Sequence, residues 1–170
     1  MLQFDVSQFK RTPGAREHQE MEFEPGTVMV AGESLTFNGP VQVHLTITNV
    51  GHSLSVEGTV KACVELNCNL CLEQFLCQLE YPFSENYYQR LDGSKPPDEE
   101  WIAYSGDVLD FAPEVIKSAF LALPMRSLCR DDCKGLCPSC GVIINQHQCD
   151  CKVEVKDLRL AKLQELLDQQ

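Results

Sequence analysis

The chain has 170 residues, 44% hydrophobic and 23% charged, enough for one domain with a real core and a small appendage, and too apolar for wholesale disorder. Its 14 Lys+Arg against 25 Asp+Glu give a net charge of -11. That balance argues against a protein that coats nucleic acid by charge alone, because phosphate binding depends on Lys and Arg releasing counterions. Ten cysteines are the anomaly. An even count admits a disulfide framework, so compartment and spacing have to decide. The opening MLQFDVSQFKRTPGAREHQE has no apolar run of signal-peptide length, and no stretch of the sequence is apolar long enough to span a bilayer. The expected compartment is therefore the cytoplasm, where thiols stay reduced and clustered cysteines bind metal or do redox work.

In chain order, residues 1–9 suggest a first strand and Lys10 to Glu24 a polar surface loop. Val28 to Phe37 is short-stranded and broken by Gly32. Val41, Val43, Leu45 and Ile47 then alternate with Gln42, His44, Thr46 and Thr48, the period of a half-buried strand. A turn at Asn49, Gly51 and His52 leads into Leu54, Val56, Val60, Ala62 and Val64, so residues 41–66 read as a hairpin. Phe75, Cys77, Leu79, Tyr81 and Phe83 continue it as a third strand.

A polar connection from Tyr88 to Glu100, tipped by Lys95-Pro96-Pro97, precedes a short strand at Trp101 to Tyr104. Asp110 is placed to cap a helix through Val115, Ile116, Ala119, Phe120 and Leu123, stopped by Pro124. Residues 128–151 hold six cysteines among turn-forming Gly135, Pro138 and Gly141, and a last helix spans about 157–167. The expected fold class is α+β: a largely antiparallel β-sheet, a meander or partly closed barrel, covered by a helix. Residues 1–126 form that domain, and residues 127–170 are a cysteine-rich tail with a terminal helix packed on it.

Charge divides unevenly. Residues 1–114 carry 6 Lys/Arg and 18 Asp/Glu, whereas residues 115–170 carry 8 and 7. The acidic part reads as a solvated surface. The tail cations Arg126, Arg130, Lys134, Lys152, Lys156 and Arg159 are the one plausible place for direct RNA contact.

The tail spacing is Cys129-x3-Cys133-x3-Cys137-x2-Cys140-x8-Cys149-x-Cys151. A Cys-x2-Cys turn aims two thiolates at one ion, and Gly141 after Cys140 permits the positive φ that such a knuckle uses. Cys137, Cys140, Cys149 and Cys151 thus make one four-thiolate zinc site. Cys68-Asn69-Leu70-Cys71 is a second knuckle between two strands, and Cys129 with Cys133, past the helix, completes a second site that staples tail to sheet. Exchange of Cys133 into the Cys137–Cys140 group, or His147 in place of one thiolate, stays open. Cys77 reads as a core residue, Cys63 is left unassigned, His18 and His44 are surface residues and His52 a turn residue. Four thiolates close a shell, so the zinc is expected to be structural, and no hydrolase, phosphate-loop or dinucleotide motif accompanies it.

Asn67-Cys68-Asn69-Leu70-Cys71-Leu72-Glu73-Gln74-Phe75 resembles the C-x-x-C-L-x-x-F centre of the YceD-like family, bacterial large-subunit ribosomal RNA accumulation proteins with plastid relatives. Val108-Leu109-Asp110-Phe111 through Leu121-Ala122-Leu123-Pro124-Met125 is similar to that family's helix ending in LALPM. Leu128 to Gly141, with Asn145 and Cys149-Asp150-Cys151, resembles the cysteine-rich tail of many members, and Asp157-x-Arg159-Leu160-Ala161-x-Leu163 their closing helix. The resemblance implies a non-enzymatic factor in accumulating or processing large-subunit (23S) ribosomal RNA, working with a ribosomal protein or an assembly intermediate. The competing expectation is a redox-switched zinc-thiolate chaperone or sensor, since Cys-x-Cys and Cys-x2-Cys are reactive pairings. A hydrolase using zinc is the remaining reading.

Overall fold

The computed structural model describes residues 2–30, 32–90 and 100–151. Its central feature is the ladder that the alternating pattern predicts. Strand β5 (Val41–Asn49) turns at Gly51, whose φ of 102° suits glycine, into β6 (Ser53–Asn67), which pairs antiparallel with β7 (Gln74–Gln89). The register faces Val43 with Val60, Ile47 with Val56 and Val60 with Tyr81, so one face is continuously apolar.

The flanking strands enlarge this sheet to seven. β2 (Arg16–Phe23) pairs with β5, β3 (Thr27–Val30) with β4 (Glu33–Phe37), β4 with the far end of β6, and β8 (Ile102–Tyr104) runs parallel to β7. β2 and β3 end the path, so the sheet is open and the partly closed barrel is not what forms. A two-stranded antiparallel ribbon, β1 (Gln3–Asp5) with β9 (Val108–Asp110), shares its core through Leu2, Phe4, Val6 and Leu109.

Helix α1 (Ala112–Leu121) buries Val115 and Ala119, and the Tyr81 hydroxyl donates to the Val115 carbonyl at 3.0 Å, tying helix to sheet. Asp110 accepts from the Ala112 N–H at 3.0 Å, but it belongs to β9 and Phe111 occupies the cap position. The helix ends before Pro124 because proline disfavours helical backbone at the residue before it.

The expected loop over Lys10 to Glu24 is instead a short 3-10 turn (Phe9–Arg11) followed by β2. Gln19, Met21 and Phe23 lie half-buried on one face, but intervening glutamates mask that alternation in the sequence. His18 consequently sits on a strand, with its Nδ1 2.9 Å from the Thr46 hydroxyl. The predicted helix over 157–167, the Lys95–Pro97 tip and the cations Lys152, Lys156 and Arg159 lie outside the described residues.

Candidate metal centres

The turn between β6 and β7 carries Cys68 and Cys71. The Cys68 N–H donates to the Glu73 carbonyl at 2.8 Å and the Leu72 N–H to the Cys68 carbonyl at 2.9 Å, closing a tight knuckle. That closure puts Leu72 at φ 63°, a left-handed conformation unusual for leucine. After α1 the chain comes back to this turn, where Asn69 N–H donates to the Ser127 carbonyl at 2.8 Å. Cys129 and Cys133 arrive with it. Their sulfurs stand 3.6 Å from Cys71 and 3.7 Å from Cys68 respectively.

The second knuckle repeats the construction. Gly141 N–H donates to the Cys137 carbonyl at 2.8 Å, with Gly141 at φ 72° in the place that Leu72 takes in the first. Cys137 N–H bonds to the Val142 carbonyl, and an isolated bridge joins Leu136 to Ile143. Cys149 and Cys151 close on this loop. Within each group, Cys68, Cys71, Cys129, Cys133 and Cys137, Cys140, Cys149, Cys151, all four sulfurs lie within 4.8 Å of one another.

These separations fit a metal shell and not disulfides. A disulfide holds its sulfurs at about 2.05 Å. A tetrahedral ion with metal–sulfur bonds of about 2.3 Å sets them about 3.8 Å apart. Each group can therefore hold one ion, and none of the ten cysteines is in a disulfide.

The two groups differ in exposure: Cys68, Cys71 and Cys137 are buried, whereas Cys140, Cys149 and Cys151 face solvent. Without metal each group contains one acidic thiol. Burial pushes the Cys68 thiol up, but backbone N–H groups of Cys129, Cys71 and Leu70 outweigh it and hold it at about 6. Amides of Cys140 and Ser139 bring Cys137 to about 6. Burial and hydrogen bonds among the thiols push Cys129 up to about 12, and a hydrogen bond with the Cys140 thiol, together with burial, does the same to Cys151.

The centres also touch. Leu136 N–H donates to the Leu70 carbonyl at 3.2 Å, and Gln146 Nε2 donates to Glu73 Oε1 at 2.6 Å. Asn145 braces the tail, accepting from Lys134 N–H and donating to the Asp132 carbonyl. The bracing by Ser127, Gln146 and Glu73 has no spacing signature. The Leu72 conformation had one: it follows the second cysteine of its knuckle just as Gly141 does.

Other candidates fall elsewhere. His147 is in neither sulfur group and serves through its backbone, its N–H donating to the Ile143 carbonyl. Cys77 packs half-buried against the core, and burial raises its thiol; Cys63 lies on the opposite, polar face beside Gln78. His44 is exposed beside Glu20. Arg126, Arg130 and Lys134 are exposed, and Arg130 pairs with Asp132 at 2.8 Å. Among the described residues no helix is long and apolar enough to cross a membrane.

A family model described as large ribosomal RNA subunit accumulation protein YceD matches residues 56–167, which include both knuckles and all eight clustered cysteines. The chain belongs to this family. Similar proteins include uncharacterized proteins of Mycobacterium bovis and Mycobacterium tuberculosis, each 27% identical over 96% of this chain and 80% of theirs. Another is the chloroplastic large ribosomal RNA subunit accumulation protein YCED homolog 1 of Arabidopsis thaliana, 28% identical over 76% of this chain and 49% of that protein. No solved structure matches. The YceD match begins within β6, so β1 to β5 lie outside it.

Proposed function

We propose that this protein is a non-enzymatic factor for biogenesis of the large ribosomal subunit, supporting accumulation or processing of 23S ribosomal RNA, with two structural zinc ions. The family match carries the reading. Zinc is the choice of ion because four thiolates within reach of one ion suit it, and a shell of four leaves no open position for a reacting water. Cys68, Cys71, Cys129 and Cys133 hold one ion, and Cys137, Cys140, Cys149 and Cys151 the other. The organisation is one α+β domain over residues 1–126, on which the tail from 127 is stapled, and its compartment is the cytoplasm.

Charge favours a basic ribosomal protein, or an assembly intermediate presenting one, over naked RNA as the contact. The chain stands at -11, and each zinc with four thiolates adds about −2. The cations of the tail, Arg126, Arg130 and Lys134, are offset within the described tail by Asp131, Asp132 and Asp150. Depletion of the protein is expected to lower mature 23S RNA and accumulate its precursor, read by blotting across a sucrose gradient. Unchanged precursor and mature levels sink the proposal.

One observation favours the second reading, a redox-switched zinc-thiolate chaperone or sensor: Cys140, Cys149 and Cys151 are exposed to oxidant. Zinc release by mild peroxide with a gain of holdase activity is its signature. Peroxide-resistant zinc removes it.

A further inference from the structure

Strand β2 is an edge. It ladders on β5 along its whole length, and among the described residues no strand pairs with its other side. An unpaired edge presents a row of backbone N–H and C=O groups. From Arg16 to Glu24 the chain carries four glutamates against one arginine. Two hollows open along the same strand. One, of about 400 Å³, is lined by Glu20, Met21, Glu22, Gln42 and His44. The other, of about 550 Å³, lies between Glu17 and the amino-terminal segment, lined by Phe4 and Asp5 of β1 and by Ser7, Phe9 and Thr12 beyond it. Because strand side chains alternate, Glu20 and Glu22 point to the outer face and Glu17 to the opposite one.

We propose that β2 is a docking edge that takes an extended, lysine- and arginine-rich protein segment as an additional strand. Strand addition draws affinity from backbone hydrogen bonds and specificity from pockets that receive alternate side chains. Here the edge supplies the first, and the two carboxylate-lined hollows, one on each side of the strand, supply the second. Glu17 and Glu20 are separated by about 10 Å of extended chain, so cations a few residues apart on the incoming segment reach both.

The inference rests on the assembly reading for its biological partner, a basic protein, but the edge and hollows stand without it. Single-stranded RNA suits the surface poorly. It carries the same sign of charge, and the outer-face positions of β2, β5 and β6 hold no Phe, Tyr or Trp on which bases stack. Charged edges also serve to keep sheets from aggregating. Such guarding needs no ladder-forming partner, and a binding measurement separates the two roles.

The test uses the full zinc-loaded chain and a peptide of sequence Lys-Lys-Thr-Thr-Lys-Lys-Thr-Thr, eight residues long to match β2 and carrying lysines on both faces of the strand. Binding by fluorescence anisotropy should be accompanied by new hydrogen-exchange protection of the Arg16–Phe23 amides. Proline in place of each threonine keeps the charge and removes N–H donors from both edges of the peptide, including the one that faces β2; this peptide should bind about tenfold or more weakly. The triple variant Glu17→Gln, Glu20→Gln, Glu22→Gln should lose affinity by about the same factor, its fold checked by circular dichroism. Equal binding of the proline peptide, no protection in β2, or tighter binding of an oligouridine at this edge overturns the proposal. The two readings fail separately: RNA levels after depletion test the assembly role, and the peptide titration tests the edge.

Discussion

Gly135 is the residue on which the contact between the two knuckles turns. It sits at φ 78°, and a Cβ there would come within 2.9 Å of the Leu70 carbonyl oxygen, the atom that accepts the Leu136 N–H. Gly135→Ala therefore combines left-handed strain with a backbone clash and is expected to cost about 1–3 kcal/mol in a denaturant melt. Leu72 gives the converse case. It takes a left-handed conformation while 67% exposed, so little packing offsets the strain. Leu72→Gly relieves about 1–2 kcal/mol of that strain and adds about 0.5–1 kcal/mol of backbone entropy cost, leaving a variant at least as stable as the parent. A loss in the same melt would mean that Leu72 packs against something.

The thiols themselves set a pH dependence. Cys129 and Cys151 are raised to about 12, and Cys71 and Cys149 also lie above their ordinary value, so at neutral pH at least two thiols per centre are protonated. A metal ion binds the thiolates and must release those protons, so affinity rises with pH. Two protons per ion correspond to about a hundredfold gain in apparent affinity per pH unit. Competition with a chromophoric chelator at two pH values around neutrality measures the slope, and a flat profile contradicts these thiol states.

At the scale of elements, α1 is held by its buried face and by one well-placed hydroxyl. Phe111, fully buried at its start, meets Tyr87 of β7 edge-to-face with ring centroids 5.7 Å apart. Phe111→Ala removes that contact and leaves a cavity between helix, ribbon and sheet. It should cost about 3–5 kcal/mol, seen as a lowered denaturation midpoint at unchanged slope. Tyr81→Phe, which removes only the hydroxyl bonded to Val115, should cost about 1 kcal/mol.

The same elements show what the sequence makes readable. Alternation over residues 41–66 and 75–83 specifies β5, β6 and β7 because each has one face in the core and one in solvent. β1 and β9 have three residues each, too short for periodicity to register. β2 was hidden because an edge strand keeps charged side chains on both faces, and charge reads as loop. For the candidate centres, spacing points to the knuckles, since two thiolates of a Cys-x2-Cys turn are neighbours by covalent geometry. Which distant pair joins which depends on the return path after α1; the assignment of Cys129 and Cys133 to the first knuckle rests on their place just past the helix, and spacing alone leaves exchange of Cys133 open.

For the whole molecule, the two centres have unequal reach. The first joins Cys68 to Cys133 across a sequence separation of 65, and its other short sulfur contact, Cys71 to Cys129, spans 58. The second lies wholly between Cys137 and Cys151. By analogy with a covalent cross-link, closing the longer loop removes about 4 kcal/mol of unfolded-chain entropy, so an ion in the first centre does most to hold tail to sheet. The sheet core of valines, leucines and aromatic rings does not run through either centre and should survive loss of metal. The double variant Cys68→Ser, Cys71→Ser is therefore expected to keep its β-sheet circular dichroism and one of two zinc ions, while the tail detaches. Arg126, Arg130 and Lys134 are exposed, so trypsin should then clip the tail rapidly. Cys149→Ser with Cys151→Ser should also lose one zinc but resist cutting at Arg126 and Arg130, because the first centre still grips Cys129 and Cys133. Equal trypsin resistance of the two double variants would show that backbone contacts such as Asn69 with Ser127, and not the metal, dock the tail.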